Sequence, residues 1–596
     1  MQQVIRQLTF EELERLVSLL GEPDQTDMLY RRARDVIGLL SSTAHEQRSR
    51  LLAGFSNECE RLLPRATNEL EATCDPSSEE RWSGCQAGKA ILRLCRSASE
   101  VFNGAEDEEL SAAMKRLSEK LKPLWSKLGE CLSALQPQSR HEFLPTGATA
   151  VIPLIEAYFE LCCRDRPERS VGCESAQDVW RFAERHRATI NAFVRRNPGL
   201  LNASLKPLLK APRLVDFDNK RKHFRASIKK RKESYRSHIL RVYVRRNNVL
   251  DDSYQQLHRK SSDEIKSRLN VNFQGEEGVD AGGPTREWFS ILAREIFNPQ
   301  YALFSPCDTG GRTFQPNPNS SVNPEHLPYF RFVGRLVGKA LWDDVQMEAY
   351  FTRSFYKHML RIPVSYDDIE ALDPDFYKNL RWVIENDITN VLDLTFSTES
   401  HFFDVEETVD LKPNGRNIQV TEANKKEYVD LLCQYKMTHA IQDQINAFVH
   451  GFEEIIPHEL ASLFGPGELE LLISGLPEID IDDLAANTEY VGYSPSSLVI
   501  QWFWAIARSL NQEDRARLLQ FCTGTSRVPL EGFNALQGIS GPQRFQIHRA
   551  SHEQQRLISA HTCFNQLDLP EYESKEALRE KLMLAVYEAS EGFGFQ

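Results

Sequence analysis

Between Leu110 and Leu135 the residues Leu110, Met114, Leu117, Leu121, Leu124, Leu128, Cys131 and Leu135 recur at alternating spacings of four and three. That spacing stacks them on one face of a helix, whereas a strand sends successive side chains to opposite faces. From Met1 to about His238 no sustained period-two alternation appears, so an all-helical region is expected over 1–238. It could stack as a solenoid, although no fixed repeat period marks one. Pro123 falls inside the stripe and removes a backbone donor, which predicts either a kinked helix or two helices in succession. Turn-forming clusters at Gly21-Glu22-Pro23, Asp75-Pro76-Ser77-Ser78 and Gln136-Pro137-Gln138-Ser139 separate further helices. Helical patterning resumes from Trp180 to Arg196 and from Asp218 into Ile239.

At 596 residues the chain exceeds what one core organises, so two or more domains are expected. A hydrophobic fraction of 41% and a charged fraction of 26% are ordinary for folded soluble protein. No apolar run approaches bilayer length, and the start from Met1 to Leu8 lacks the basic and apolar regions of a signal peptide. No membrane contact and a cytoplasmic or nuclear location are therefore expected. Twelve cysteines, none in a CxxC pair, fit a reducing compartment, and the adjacent Cys162-Cys163 are poorly placed to share a metal. Neither a metal nor a cofactor is expected. A net charge of −13 argues against general nucleic-acid binding. Lys220 to Arg225, Lys229 to Lys232 and Arg241 to Arg246 nevertheless form a basic block. It reads either as a solvated helix face or as a contact for nucleic acid, anionic lipid or an acidic partner.

After about residue 238 the pattern becomes mixed. Leu269 to Phe273 is strand-like and leads into the glycine-rich turn Gly275 to Gly283, which matches no phosphate-binding pattern, before a helix opening at Pro284. The run Ser305 to Pro328 is expected as a long surface connection. Trp382, Phe396 and Tyr428 lack the interleaved cations of a base-stacking platform. Leu498 to Trp504 and Arg515 to Phe521 supply apolar residues for a last small body.

Within that body Cys563 has a histidine two residues before it, His561, and a carboxylate five after it, Asp568. Such a thiol reads either as a nucleophile for acyl transfer or as a small buried hydrophobe. Local composition leaves both open. His561 could favour the thiolate or serve the loop's structure, and Asp568 could assist a lysine or stabilise the turn before Leu569-Pro570.

The run from Ala560 to Pro570 resembles the active-site loop of HECT-type ubiquitin ligases. The resemblance extends from Val242 to Gln596 through Asp252-Ser253-Tyr254, Phe273 to Gly283, Arg286-Glu287-Trp288-Phe289, Asp410 to Gly415, Glu468 to Gly475 and Thr523 to Pro529. The look is that of the C-terminal part of the family's giant members, which would make this chain part of a longer protein. The resemblance implies an α+β fold: a bilobed HECT domain with a mostly helical N-lobe over 239–494 and a small α/β C-lobe over 495–596. It implies an all-helical region before them, with regulatory or dimer-forming helices near 175–238. It also implies that Cys563 accepts ubiquitin from a conjugating enzyme as a thioester and passes it to substrate lysines, with His561, Thr562, Asp568 and the tail aromatic Phe593 in the site. Conjugating enzyme, ubiquitin and substrate proteins are the implied partners. An apolar groove for the conjugating enzyme maps to Leu380, Ile384, Leu394, Tyr428 and Leu432, and a flexible hinge to Glu489, Tyr490, Val491 and Gly492. Two other readings are a cysteine hydrolase acting on ubiquitin, which would need a base histidine elsewhere in the chain, and a noncatalytic helical scaffold.

Overall fold

The computed structural model describes residues 10–22, 45–74, 85–102, 108–137, 144–162, 176–235, 239–275, 283–307, 313–389, 391–402, 405–475, 478–523, 526, 528, 532–538, 541–550, 557–561 and 564–588. The chain divides into two compact units, 1–223 and 224–596.

Among the described residues of the first unit every element is helical: Phe10–Gly21, His45–Cys74, Gln86–Phe102, Glu108–Ala134, Ile152–Cys162, Ala176–Arg185 and Arg187–Arg196, joined by short 3-10 turns. The stripe that opens the sequence argument lies on Glu108–Ala134, and its residues from Leu110 to Cys131 are no more than 3% exposed. Leu135 packs against the same core. Pro123 sits inside one continuous helix rather than between two. Gly21, Cys74 and Ala134 are the last residues of their helices, while Pro23, Asp75 to Ser78, Gln138 and Ser139 of the expected turn clusters lie outside the described residues. Cys131 is disulfide-bonded, whereas Cys59, Cys85, Cys95, Cys162, Cys307, Cys433 and Cys522 are free. Two buried amides close the unit's C-terminal end. Asn191 donates to the carbonyls of Arg187 and Leu214 and accepts from Asp216 N and Asn219 Nδ2, so polar groups out of reach of water are paired. No helix among the described residues is long and apolar enough to cross a membrane.

The helix Phe217–Lys232 carries the first two basic runs. Its cations are largely committed. Arg221 and Lys222 pair with Asp218, Arg225 with Asp344, Arg231 with Glu459 and Lys232 with Asp343. Phe224 meets Phe464 edge-on at 5.6 Å. The later cations Arg245 and Arg246 pair with Asp252 and Glu287. The block is thus largely a solvated face whose cations carry acidic partners.

In the second unit β1 (Ile239–Val244) and β2 (Arg268–Phe273) form a parallel pair with alternating burial, bridged by the helix Val249–Leu257. The run Ser305 to Pro328 is more ordered than a surface connection. It holds the hairpin of β3 (Phe304–Pro306) and β4 (Phe314–Pro316) and a 3-10 turn at Ser320–Val322. Side-chain amides supply the order: Asn317 Nδ2 donates to the Ala302 carbonyl, and Gln444 Nε2 to the Oγ of the buried Ser320. The helices His326–Asp343 and Gln442–Ile455 cross so closely that a Cβ on Gly334 would lie 2.0 Å from the Phe448 carbonyl oxygen, and one on Gly451 2.0 Å from that of Arg331. Only glycine fits there.

A separate small core gathers Ile369, Leu380, Val383, Ile388, Phe396, Val420, Tyr428, Val429, Leu432, Cys433 and Met437. It draws on the 3-10 turn Tyr366–Ala371 and the helices Pro374–Glu385 and Lys425–Met437, beside the hairpin of β5 (Ser397–Phe402) and β6 (Val405–Asp410).

The C-terminal body is built on a four-stranded sheet. Its strands are β7 (Thr488–Val491), β10 (Phe545–Arg549), β11 (Ser559–His561) and β12 (Gln566–Leu569), in the order β11-β12-β10-β7. A minor pair, β8 (Gln537–Gly538) and β9 (Gly541–Pro542), lies between β7 and β10 in the chain, and the helices Leu498–Ser509, Gln512–Thr523 and Lys575–Glu588 complete the body. Two buried polar contacts tie it to the helix Pro466–Ser474. Arg517 Nη2 donates to Glu468 at 2.9 Å, and Glu470 accepts from both the N and Oγ of Ser526 at 2.8 Å.

Candidate active site

The turn between β11 and β12 carries the sequence-predicted nucleophile. Cys563 and Thr562, and the tail residue Phe593, lie outside the described residues, while the frame around them is described. β11 and β12 run antiparallel with His561 opposite Gln566. In that register Asp568 is the diagonal neighbour of His561 on the same face of the sheet, within reach of a long side chain. His561 Nε2 donates to Asp568 Oδ2 at 3.0 Å, and Gln566 Nε2 holds the other carboxylate oxygen at 2.6 Å. Asn565, fully buried in a left-handed conformation (φ 48°), anchors the far side of the turn by donating to the Gln543 carbonyl at 2.8 Å and accepting from Gln546 N. Asparagine is among the few side chains that tolerate this backbone.

The other edge of His561 faces a residue that sequence reasoning missed. Glu370, on the 3-10 turn Tyr366–Ala371, places Oε1 3.9 Å from His561 Nδ1. A second missed residue, Lys378 on the helix Pro374–Glu385, sets its Nζ 4.2 Å from the centre of the Phe564 ring. No short motif announces either one, because the fold brings them to the loop from nearly two hundred positions upstream.

The electrostatics follow from the two carboxylates. The hydrogen bond to Asp568, with Glu370 behind it, pushes His561 up to about 9 against the opposing effect of burial. Burial by itself would raise Asp568, but its bonds to His561 and Gln566 outweigh that and hold it below the usual carboxylate value. At neutral pH the pair is therefore imidazolium and carboxylate. An imidazolium cannot take a proton, so the two carboxylates disfavour His561 as a base. Asp568 is likewise occupied as an orienting acceptor.

The groove residues divide. Leu380, Tyr428 and Leu432 are 4%, 7% and 4% exposed and belong to the small core, so they build the subdomain rather than offer it. Ile384 and Leu394 are half-buried against that core. The apolar surface is Trp382, 43% exposed, and Val391, 61% exposed. Helical spacing carries the signal: Phe376, Leu380, Val383 and Ile384 share the inward stripe of Pro374–Glu385, and Trp382 lies off it. Phe396 and Tyr428 form a buried edge-on pair, so no stacking platform exists with Trp382.

The expected hinge is also more structured than a free linker. Glu489, Tyr490 and Val491 belong to β7, which pairs in parallel with β10, and Gly492 makes the bend after it at φ 75°. Trp504 Nε1 donates to the Tyr490 hydroxyl, and the Tyr493 hydroxyl donates to the Leu569 carbonyl. Backbone pairing to β10 thus places three of the four expected hinge residues at an edge of the C-terminal sheet.

Residues 290–596 match the family described as HECT-domain (ubiquitin-transferase). The chain belongs to the HECT family. The second unit has the bilobed HECT fold: the C-terminal body is its small C-lobe, and the small core is a subdomain of the N-lobe. The chain is 46% identical to the E3 ubiquitin-protein ligase UPL1 of Arabidopsis thaliana, over 99% of this chain and 18% of that protein. It is 47% identical to the E3 ubiquitin-protein ligase HUWE1 of Mus musculus, over 82% of this chain and 12% of the relative. Against the E3 ubiquitin-protein ligase TOM1 of Saccharomyces cerevisiae the identity is 43%, over 82% and 15%. The chain thus spans less than a fifth of the length of these relatives.

Proposed function

We propose that this HECT chain is the catalytic part of a ubiquitin-protein ligase that carries ubiquitin as a thioester on Cys563. The observation that carries the reading is the hydrogen bond of His561 to Asp568 at 3.0 Å, two positions in sequence from that thiol. In the first step the Cys563 thiolate attacks the carbonyl of the conjugating enzyme's ubiquitin thioester; a new thioester forms and the donor's thiolate leaves. In the second, a neutral lysine amine attacks, an isopeptide bond forms, Cys563 leaves as thiolate and the amine's surplus proton passes to a base. Thiolate is the nucleophile of the first step and the leaving group of the second, so a fixed positive charge beside it assists both.

With activating and conjugating enzymes and ubiquitin, the chain is expected to form a reductant-sensitive ubiquitin adduct that Cys563→Ala abolishes. Chains built by the alanine variant would defeat the thioester reading. Cleavage of ubiquitin conjugates without an adduct would favour the hydrolase, and neither activity the scaffold.

Docking of the conjugating enzyme falls, in this reading, on Trp382 and Val391, with Ile384 and Leu394 at the base of the patch. Trp382→Glu is expected to cost about 2 kcal/mol of that binding, the scale of an aromatic hot spot, read as slower loading at limiting conjugating enzyme. Phe593→Ala is expected to spare loading and slow discharge to lysine, since a tail aromatic positions a lobe and does not change the thiol.

A further inference from the structure

The transfer loop is held on the N-lobe subdomain by two side chains from two elements. Glu370 is presented by a rigid turn: its neighbour Ile369 is fully buried in the small core, and Asp368 accepts from Lys357 Nζ at 2.5 Å and from Ser365 N at 2.7 Å. Lys378 is steadied by Asp375 at 3.1 Å, so its ammonium lies between that carboxylate and the Phe564 ring. The two contacts grip opposite ends of the short segment that contains Cys563, one at His561 and one at Phe564. Trp382 follows Lys378 by four residues, which puts both on one face of Pro374–Glu385 about 6 Å apart along the axis. The loop is therefore docked one helical turn from the exposed aromatic that a donor enzyme would cover.

We propose that Glu370 and Lys378 are positioning residues that hold the Cys563 loop on the subdomain for loading, and that they take no part in discharge. The proposal rests on the thioester reading above and adds the pose in which the first step occurs. Its logic is charge and shape. His561 already has one carboxylate, and a second from the other lobe makes docking a contact between a cation and a preset anion. The cation–ring contact adds direction, because an ammonium is attracted to the face of a ring. Both contacts come from the N-lobe subdomain, so a lobe that turns away from it toward a substrate leaves them behind.

Single-turnover transfer separates the steps in the full chain. Transfer from charged conjugating enzyme to Cys563 is expected to slow about threefold to tenfold in Glu370→Gln and in Lys378→Met, the range of one partly exposed ionic or cation–ring contact. Lys378→Arg keeps a cation over the ring and is expected to restore the rate. Discharge of preloaded chain to free lysine, and the melting temperature, are expected to match wild type in all three. Wild-type loading in the double variant Glu370→Gln/Lys378→Met would overturn the positioning role alone, as would equal slowing of loading and discharge. A wild-type chain that forms no reductant-sensitive adduct would overturn the thioester reading and the proposal with it.

Discussion

Two of the regions where the C-lobe meets the N-lobe are of opposite character. At the helix Pro466–Ser474 the contact is buried and ionic: Arg517, Glu468 and Glu470 are each no more than 7% exposed, and Ser526 is fully buried. At the loop the contact is partly exposed and sparse, with a 3.9 Å ion pair and one cation–ring approach. A buried pair is costly to break because a lone charge stays out of water, while an exposed one exchanges its partner for solvent at little cost. The first region is therefore costly to open and the second is not.

The largest expected effect tests the buried region. Arg517→Met strands Glu468 and Glu513 without their cation and should cost about 3–5 kcal/mol in chemical denaturation, with part recovered when Glu468→Gln is added. If Arg517→Met is silent, the two regions do not differ as described. Ser526→Ala removes the hydroxyl bond to Glu470 but leaves the backbone one, so a loss of about 1 kcal/mol is expected in the same measurement.

The loop region is better tested by pH. His561 is raised from 6.5 to about 9, so the stability it contributes is fully present below its unfolded value of 6.5 and is lost as pH rises through about 9. A side-chain NMR titration should place the imidazole near the higher value, Asp568→Asn should bring it down by more than Glu370→Gln, and an unmoved titration would remove the pair from the account. The smallest effect belongs to Lys378→Ala, expected to change stability by less than about 0.5 kcal/mol while slowing loading.

What was legible in the sequence was local. The stripe from Leu110 to Cys131 needs only the helical period, and the ends at Gly21, Cys74 and Ala134 only turn chemistry. The HECT loop was visible as a motif, with His561 and Asp568 named separately. That they are one pair depends on strand register, which no spacing of seven reveals. Glu370 and Lys378 depend on lobe placement and left no trace. The burial of Leu380, Tyr428 and Leu432 was not legible because apolar residues at helical spacing serve core and surface alike, and only the folded packing separates them. The basic block was read without its partners, since Asp343, Asp344 and Glu459 lie more than a hundred positions away.

The placement of β7 has a mechanical consequence. As the outermost strand of its sheet it is bonded on one side only, so it can be peeled from β10 without opening the rest. Its four residues amount to a folded reserve of about 13 Å of chain. Were it to peel, the connection between the lobes would gain that length, a reserve set by four backbone pairings.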